Sequence, residues 1–272
     1  MIYESNCYGR NCVMISEQCM PVLFIGHGNP MNAIEETTFT AAWREIAVTT
    51  PRPQAILCVS AHWETDGTKV TAMKSPKTIH DFYGFPEELF QIQYPAPGAP
   101  ELANRVVELL GSSEVKRDES WGLDHGTWSL LRRMYPEADI PVIQLSLDRK
   151  KSPHEQVTMA KQLLPLRDEG VLVIGSGNIV HNLGLIRWHD NTPYPWALEF
   201  NALATGLIIA GETDRLTDYR SLGEAARLSI PTNEHYLPLL YALALRTRED
   251  PVSIFADQVV LGSLSMQSVR IG

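Results

Sequence analysis

The chain has 272 residues, 44% hydrophobic and 20% charged, which is enough to bury an ample core and excludes a disordered sequence. Its net charge of −9 excludes the usual signature of a nucleic-acid or anionic-membrane partner, and no apolar run approaches the roughly 18 residues that span a bilayer. Residues 1–19 carry Cys7, Cys12 and Cys19 at spacings that match no common zinc pattern, and they lack the basic-then-apolar order of a signal peptide. They read as a flexible N-terminal extension ahead of a single catalytic domain over 20–272, with the cytoplasm as the expected location. Residues 22–25 then read as a first strand and 37–47 as a helix with Phe39, Trp43 and Ala47 on one face. Residues 55–60 read as a second buried strand and 69–73 as a short third. The stripe Leu102, Val106 and Leu109 predicts a helix over 100–110, stopped by Gly111. Further helices are expected over 126–135, 153–164, 195–210 and 236–246, and strands over 142–147, 171–174, 252–255 and 264–271. This alternation predicts an α/β fold: one domain with a central, largely parallel or mixed β-sheet and helices on both faces.

Three strands run into a histidine. VLFIGH ends in His27, AILCVSAH in His62 and VLVIGSGNIVH in His181. Each has an apolar run, then small residues, then an imidazole. Ligand sites of open α/β sheets lie outside the carboxyl ends of the strands, so parallel neighbours would bring the three rings together. A single buried histidine is more often a hydrogen-bonded core residue, but three at corresponding strand ends point to a metal site. Neutral imidazole is a good nitrogen donor, and three of them leave positions open on a divalent ion. Gly26, Gly28, Gly175 and Gly177 allow the backbone to approach closely there.

The other histidines divide. His125 lies in WGLDHGTW, and His235 in TNEHYLPLLY behind a cap-like Thr-Asn-Glu run; either can face the same pocket, and either can serve capping or packing. His80, in the aromatic stretch IHDFYGFP, is a candidate to line a substrate cleft. His154 and His189 read as solvated.

Taken together, HGNPMN (27–32), SAHW (60–63), IHDFYGFP (79–86), YPAPG (94–98), WGLDHGTW (121–128), GSGNIVHNL (175–183), PYPWA (193–197), EHYLPLLY (234–241) and GSLSMQSV near the end resemble the class III extradiol ring-cleavage dioxygenases. The resemblance is closest to the 4,5-DOPA extradiol branch and runs from Met20 onward. It implies that His27, His62 and His181 are metal ligands, that His235 is a fourth metal-proximal and catalytic residue, and that His125 is the acid–base histidine. It further implies a catechol substrate, O₂ and one divalent metal per chain. In that family the protocatechuate-type enzymes hold iron with two histidines and a glutamate, whereas this set is all histidine. Glu234 precedes His235, but adjacent residues usually point apart, so it is not counted as a ligand. An all-nitrogen set suits Zn²⁺ as the bound ion, with Fe²⁺ as the form that supports activity. His80, Trp63 and Tyr83 are the expected substrate-binding residues, with Phe82 and Trp121 as further candidates to sandwich a flat ring. The rival read from the histidines alone is a zinc-dependent hydrolase. A homo-oligomer is the open expectation for assembly.

Overall fold

The described residues, 19–272 of a computed structural model, begin with β1 (Val22–Gly26), α1 (Thr38–Thr49), β2 (Ala55–Thr65), β3 (Thr68–Thr71), α2 (Glu87–Phe90), α3 (Pro100–Leu110), β4 (Val115–Asp118) and α4 (His125–Met134). They continue with β5 (Val142–Asp148), α5 (Pro153–Ala160), α6 (Pro165–Asp168), β6 (Val171–Gly177), α7 (Pro195–Ala210), α8 (Thr213–Thr217), α9 (Glu224–Ser229) and α10 (Leu237–Ala244). β7 (Val252–Phe255), β8 (Val259–Val260), β9 (Leu264–Ser265) and β10 (Ser268–Ile271) close the chain. The expected extension lies outside the described residues except for Cys19, and Cys7 and Cys12 lie outside them as well.

Successive strand side chains point to opposite faces of a sheet, and here helices cover both. Val22 and Phe24, Leu57 and Val59, and Val171 and Val173 enter one apolar core with the inner sides of α3, α5, α7 and α10. Leu23 and Ile25, Ile56 and Cys58, and Leu172 and Ile174 enter the other, with Trp43 of α1 and Trp128 and Leu131 of α4. That is why these strands read as unbroken apolar runs. One sheet of eight strands runs β4-β3-β5-β2-β6-β1-β10-β7. Its centre, β5-β2-β6-β1, is parallel; antiparallel pairing joins β3 to β5, β1 to β10 and β10 to β7.

Elements α2, β4, α8 and α9 have no counterpart in the sequence expectation, and three expected elements differ clearly in extent. The helix expected over 153–164 stops at Ala160 and passes through a 3₁₀ turn, because Pro165 has no amide to continue the ladder. The strand expected over 264–271 is two strands, β9 on β8 and β10 in the main sheet. The strand expected over 55–60 runs on to Thr65. β2 outlasts its neighbour: its pairing with β6 ends at Ser60–Ser176, while it continues beside β5 as far as Thr65–Asp148 after an irregularity between Val59 and Glu64. His62 therefore lies within a strand rather than beyond its end.

Candidate active site

The floor of the site is built where the central strands finish. Gly26 pairs with Gly177, and the His27 amide donates to the Gly177 carbonyl at 3.1 Å. A Cβ on Gly26 would stand 2.6 Å from the Met266 backbone, so only glycine lets β1 pass there. Gly175 and Gly177 also permit a close approach, but of a different segment from the one expected. A Cβ on Gly177 would lie 2.1 Å from the His235 carbonyl, and one on Gly175 2.3 Å from that of Pro238. These glycines seat His235 and the start of α10, rather than His181. Within α4, a Cβ on Gly126 would meet Ser60 Oγ at 2.6 Å and His62 Cδ2 at 2.9 Å.

Five histidines converge. His27 Nε2 and His62 Nε2 are 3.1 Å apart, and His27, His62 and His235 each offer a ring nitrogen within 4.8 Å of the others. The His125 ring lies 3.8 Å from that of His62, centroid to centroid. His181 stacks on His235 at 3.5 Å with an interplanar angle of 8°. His181, Glu234 and His235 form a second close group. Tight turn geometry brings Glu234 back onto its neighbour: its Oε1 is 3.1 Å from His235 Nδ1, so the two residues do not point apart as expected.

The outward nitrogens carry the polar partners. The Ser176 hydroxyl donates to the Gly126 carbonyl at 2.5 Å, so it accepts from His27 Nδ1–H at 3.0 Å. That fixes the tautomer and leaves the Nε2 lone pair facing the cluster. Asp81 Oδ2 lies 3.0 Å from His125 Nδ1 and 3.5 Å from His62 Nδ1, while its Oδ1 accepts from the His125 amide at 2.9 Å. Beneath them, buried Asp124 caps α4 and accepts from Ser60 at 2.7 Å and from Gln144 at 2.6 Å.

Burial, reinforced by the neighbouring rings, keeps His27 and His62 well below the ordinary imidazole value. Burial also depresses His181, to about 3, and depresses His235 against the opposing pull of Glu234. These four rings are neutral near pH 7, with lone pairs free to donate. Burial alone would raise the Asp81 and Glu234 carboxyls. Contacts with His125 hold Asp81 below its usual range, and contacts with His235 hold Glu234 at about 2. Burial raises Asp124, with a further push from Asp81.

The arrangement fits a divalent ion. Two nitrogens about 2.0–2.1 Å from one centre, at angles between tetrahedral and octahedral, stand about 2.9–3.4 Å apart, which brackets the His27–His62 separation. Outer nitrogens anchored on carboxylates or hydroxyls are the usual support of metal-holding imidazoles.

The cluster forms the floor of a cavity of about 520 Å³. Phe82, Tyr83 and Phe85 form one wall, and Leu183, Ile186 and Trp188 another. His27, His62, Asp81, His125, His181 and His235 all line it. Three of the residues expected to meet substrate, Trp63, Trp121 and His80, do not line the cavity. Trp63 is buried in parallel stacking on Trp121, 5.6 Å away, because β2 extends past Ser60 and alternation turns Trp63 opposite to His62. His80 Nε2 donates to the Ile92 carbonyl at 3.0 Å and packs on Phe82, Phe90 and Trp128. Tyr83 does line the cavity, although it is 92% exposed. The sequence reading missed Ser176, Asp81 and the wall from Leu183 to Trp188. Asp81 sits beside His80 in a motif already singled out, and Ser176 interrupts a glycine pair at the end of an otherwise apolar strand.

Residues 20–257 match the family described as the catalytic LigB subunit of aromatic ring-opening dioxygenase. A 4,5-DOPA dioxygenase extradiol from Escherichia coli (strain K12) is 49% identical over 265 residues, spanning 96% of this chain and 97% of the relative. The protein of the same description from Beta vulgaris is 41% identical, over 81% of this chain and 84% of its own length. A crystal structure of an uncharacterized protein from Escherichia coli K12 superposes with a TM-score of 0.82 at 46% identity, covering 93% of this chain and all of that one.

Proposed function

Since this chain belongs to the family of catalytic LigB subunits of aromatic ring-opening dioxygenases, we propose that its cavity takes a catechol, that His27, His62, His181 and His235 hold one divalent metal, and that the ring is opened by O₂ outside the diol, in the 4,5 manner of the named relatives. The observation that carries this reading is the histidine floor beneath two apolar, aromatic-bearing walls. Bound Fe²⁺ would supply the redox chemistry that O₂ requires, whereas Zn²⁺, the ion the all-nitrogen set suits at rest, would supply Lewis acidity alone.

The chain's own groups have separable tasks. Phe82 and Phe85 flank the cavity above the histidines, where a flat ring packs against aromatic faces with its two oxygens directed to the floor. His125 Nδ1 faces Asp81, so Nε2 is the atom left to take a hydroxyl proton and to return it to the opened product. Asp81 holds that ring in place and stabilises the imidazolium once formed. The family match favours this chemistry over the zinc hydrolase suggested by the histidines alone.

The test is O₂ consumption by protein loaded anaerobically with Fe²⁺ and supplied with L-DOPA or 4-methylcatechol. The expected result is uptake with a yellow ring-opened product, lost in His125→Ala and His181→Ala. One tightly held ion per chain with no uptake on any catechol would overturn the proposal.

A further inference from the structure

The charge inventory of the cavity narrows the substrate. Among the described residues no lysine or arginine lines it. The cation on the adjoining loop is turned aside: the Arg187 guanidinium stacks 3.9 Å over Tyr194 and donates to the Thr192 carbonyl at 3.0 Å. The carboxylate that does line the cavity, Asp81, already meets the His125 amide and ring and the His62 ring. A substrate carboxylate would find no lysine or arginine along these walls to replace the water it gives up, and it would share the cavity with the Asp81 carboxylate. A substrate ammonium would compete for oxygens already engaged.

The walls point the same way. Phe82, Tyr83, Phe85, Leu183, Ile186 and Trp188 offer mostly apolar surface, and Asn29 is an uncharged polar side chain that also lines the cavity. Tyr83 is 92% and Trp188 67% exposed, so this surface continues to the mouth as an apolar rim. A cavity of about 520 Å³ lies within the range that encloses a drug-sized ligand and exceeds what one bare ring fills. With the diol on the histidine floor, a ring substituent must extend along these walls.

We infer that the catechol this site is shaped for carries an uncharged, apolar substituent rather than the zwitterionic tail of DOPA; the inference rests on the catechol reading above. DOPA is then a tolerated substrate, penalised in binding.

The experiment is anaerobic titration calorimetry of Fe²⁺-loaded protein with 4-methylcatechol, 4-propylcatechol and L-DOPA, alongside O₂-uptake kinetics. 4-Propylcatechol and L-DOPA have side chains of similar reach, so their comparison isolates charge. Each buried methylene tightens binding about fourfold, so 4-propylcatechol, with two more methylenes, is expected to bind about fifteenfold tighter than 4-methylcatechol. L-DOPA is expected to bind about tenfold or more weaker than 4-propylcatechol, with the difference in KM rather than kcat. Trp188→Ala should shrink the propyl-to-methyl ratio, and an unchanged ratio would remove that wall from the assignment. L-DOPA binding as tightly as 4-propylcatechol overturns the inference. Catechols that bind in the expected order without O₂ uptake would overturn ring opening while upholding the substituent preference. Failure of every catechol to bind would overturn both.

Discussion

Ser176 determines which nitrogen of His27 faces the cavity. Its single hydroxyl hydrogen goes to the Gly126 carbonyl, so it can only accept from the imidazole. Ser176→Ala leaves a buried N–H without a partner and frees the ring to turn. Metal affinity should fall about 10- to 100-fold, as read by competition with a chromogenic chelator. An unchanged affinity would show that His27 is oriented by something else. Asp81 plays the same part toward His125. Asp81→Asn should lower kcat about 10- to 100-fold in the Fe²⁺-loaded protein while the fold, followed by circular dichroism, stays intact. Histidines announce themselves in a sequence because few are needed for packing. Their partners do not: a serine or an aspartate has many ordinary uses, and only the folded geometry sets it 3.0 Å from an imidazole nitrogen.

Helices and strands position the histidines by close approach, and the glycines are where that approach is tightest. In an exposed helix, Gly→Ala would stabilise by about 1 kcal/mol. At Gly126, in the first turn of α4, the new methyl would instead collide with Ser60 and His62 in β2. The clash outweighs the propensity gain, so Gly126→Ala should lose about 1–3 kcal/mol in urea unfolding and displace His62. Gly177→Ala is expected to be worse, since a backbone carbonyl at 2.1 Å cannot rotate away. It should cost both stability and metal binding; a variant of normal stability and full metal content would refute this account of the β6–α10 contact. At this scale the sequence was legible wherever one periodicity ran unbroken: α3 and α7 have the predicted bounds. It was not legible for β4, an edge strand whose Lys116 and Arg117 point to solvent and so read as loop. Nor was it legible at the end of β2, where pairing with β5 rather than local composition keeps the strand going.

Across the whole molecule, one buried cation ties distant segments. Arg167, 1% exposed, donates to the Met20 carbonyl at 2.7 Å, to the Leu245 carbonyl at 2.8 Å and to Asp250 at 2.6 Å. It thereby joins the entry to β1, the end of α10 and the approach to β7. The hydrogen bond with Arg167 holds Asp250 at about 2. A carboxyl lowered on folding stabilises the fold above its unfolded value of about 3.9, and that contribution fades as pH falls through about 2. Asp250→Asn should therefore cost about 2 kcal/mol at pH 6, and the gap to the parent should close towards pH 2 in urea-unfolding titrations. A gap that stays constant with pH would show that Asp250 acts without its charge.

The sequence by itself determined the alternation of elements, and with it an α/β fold covered on both faces, because strands buried on two sides must be apolar throughout. It also marked the five histidines that meet, since their motifs survive as local patterns. The tertiary structure alone decided how they meet. It set His235 beside His27 and His62, with His181 stacked behind, through a β6–α10 contact that no local pattern encodes. It turned Trp63 and His80 into packing and built the cavity walls from two loops a hundred residues apart. The reason is physical: periodicity reports which face of an element is dry, whereas a site is a set of distances between elements, fixed only when the whole chain packs.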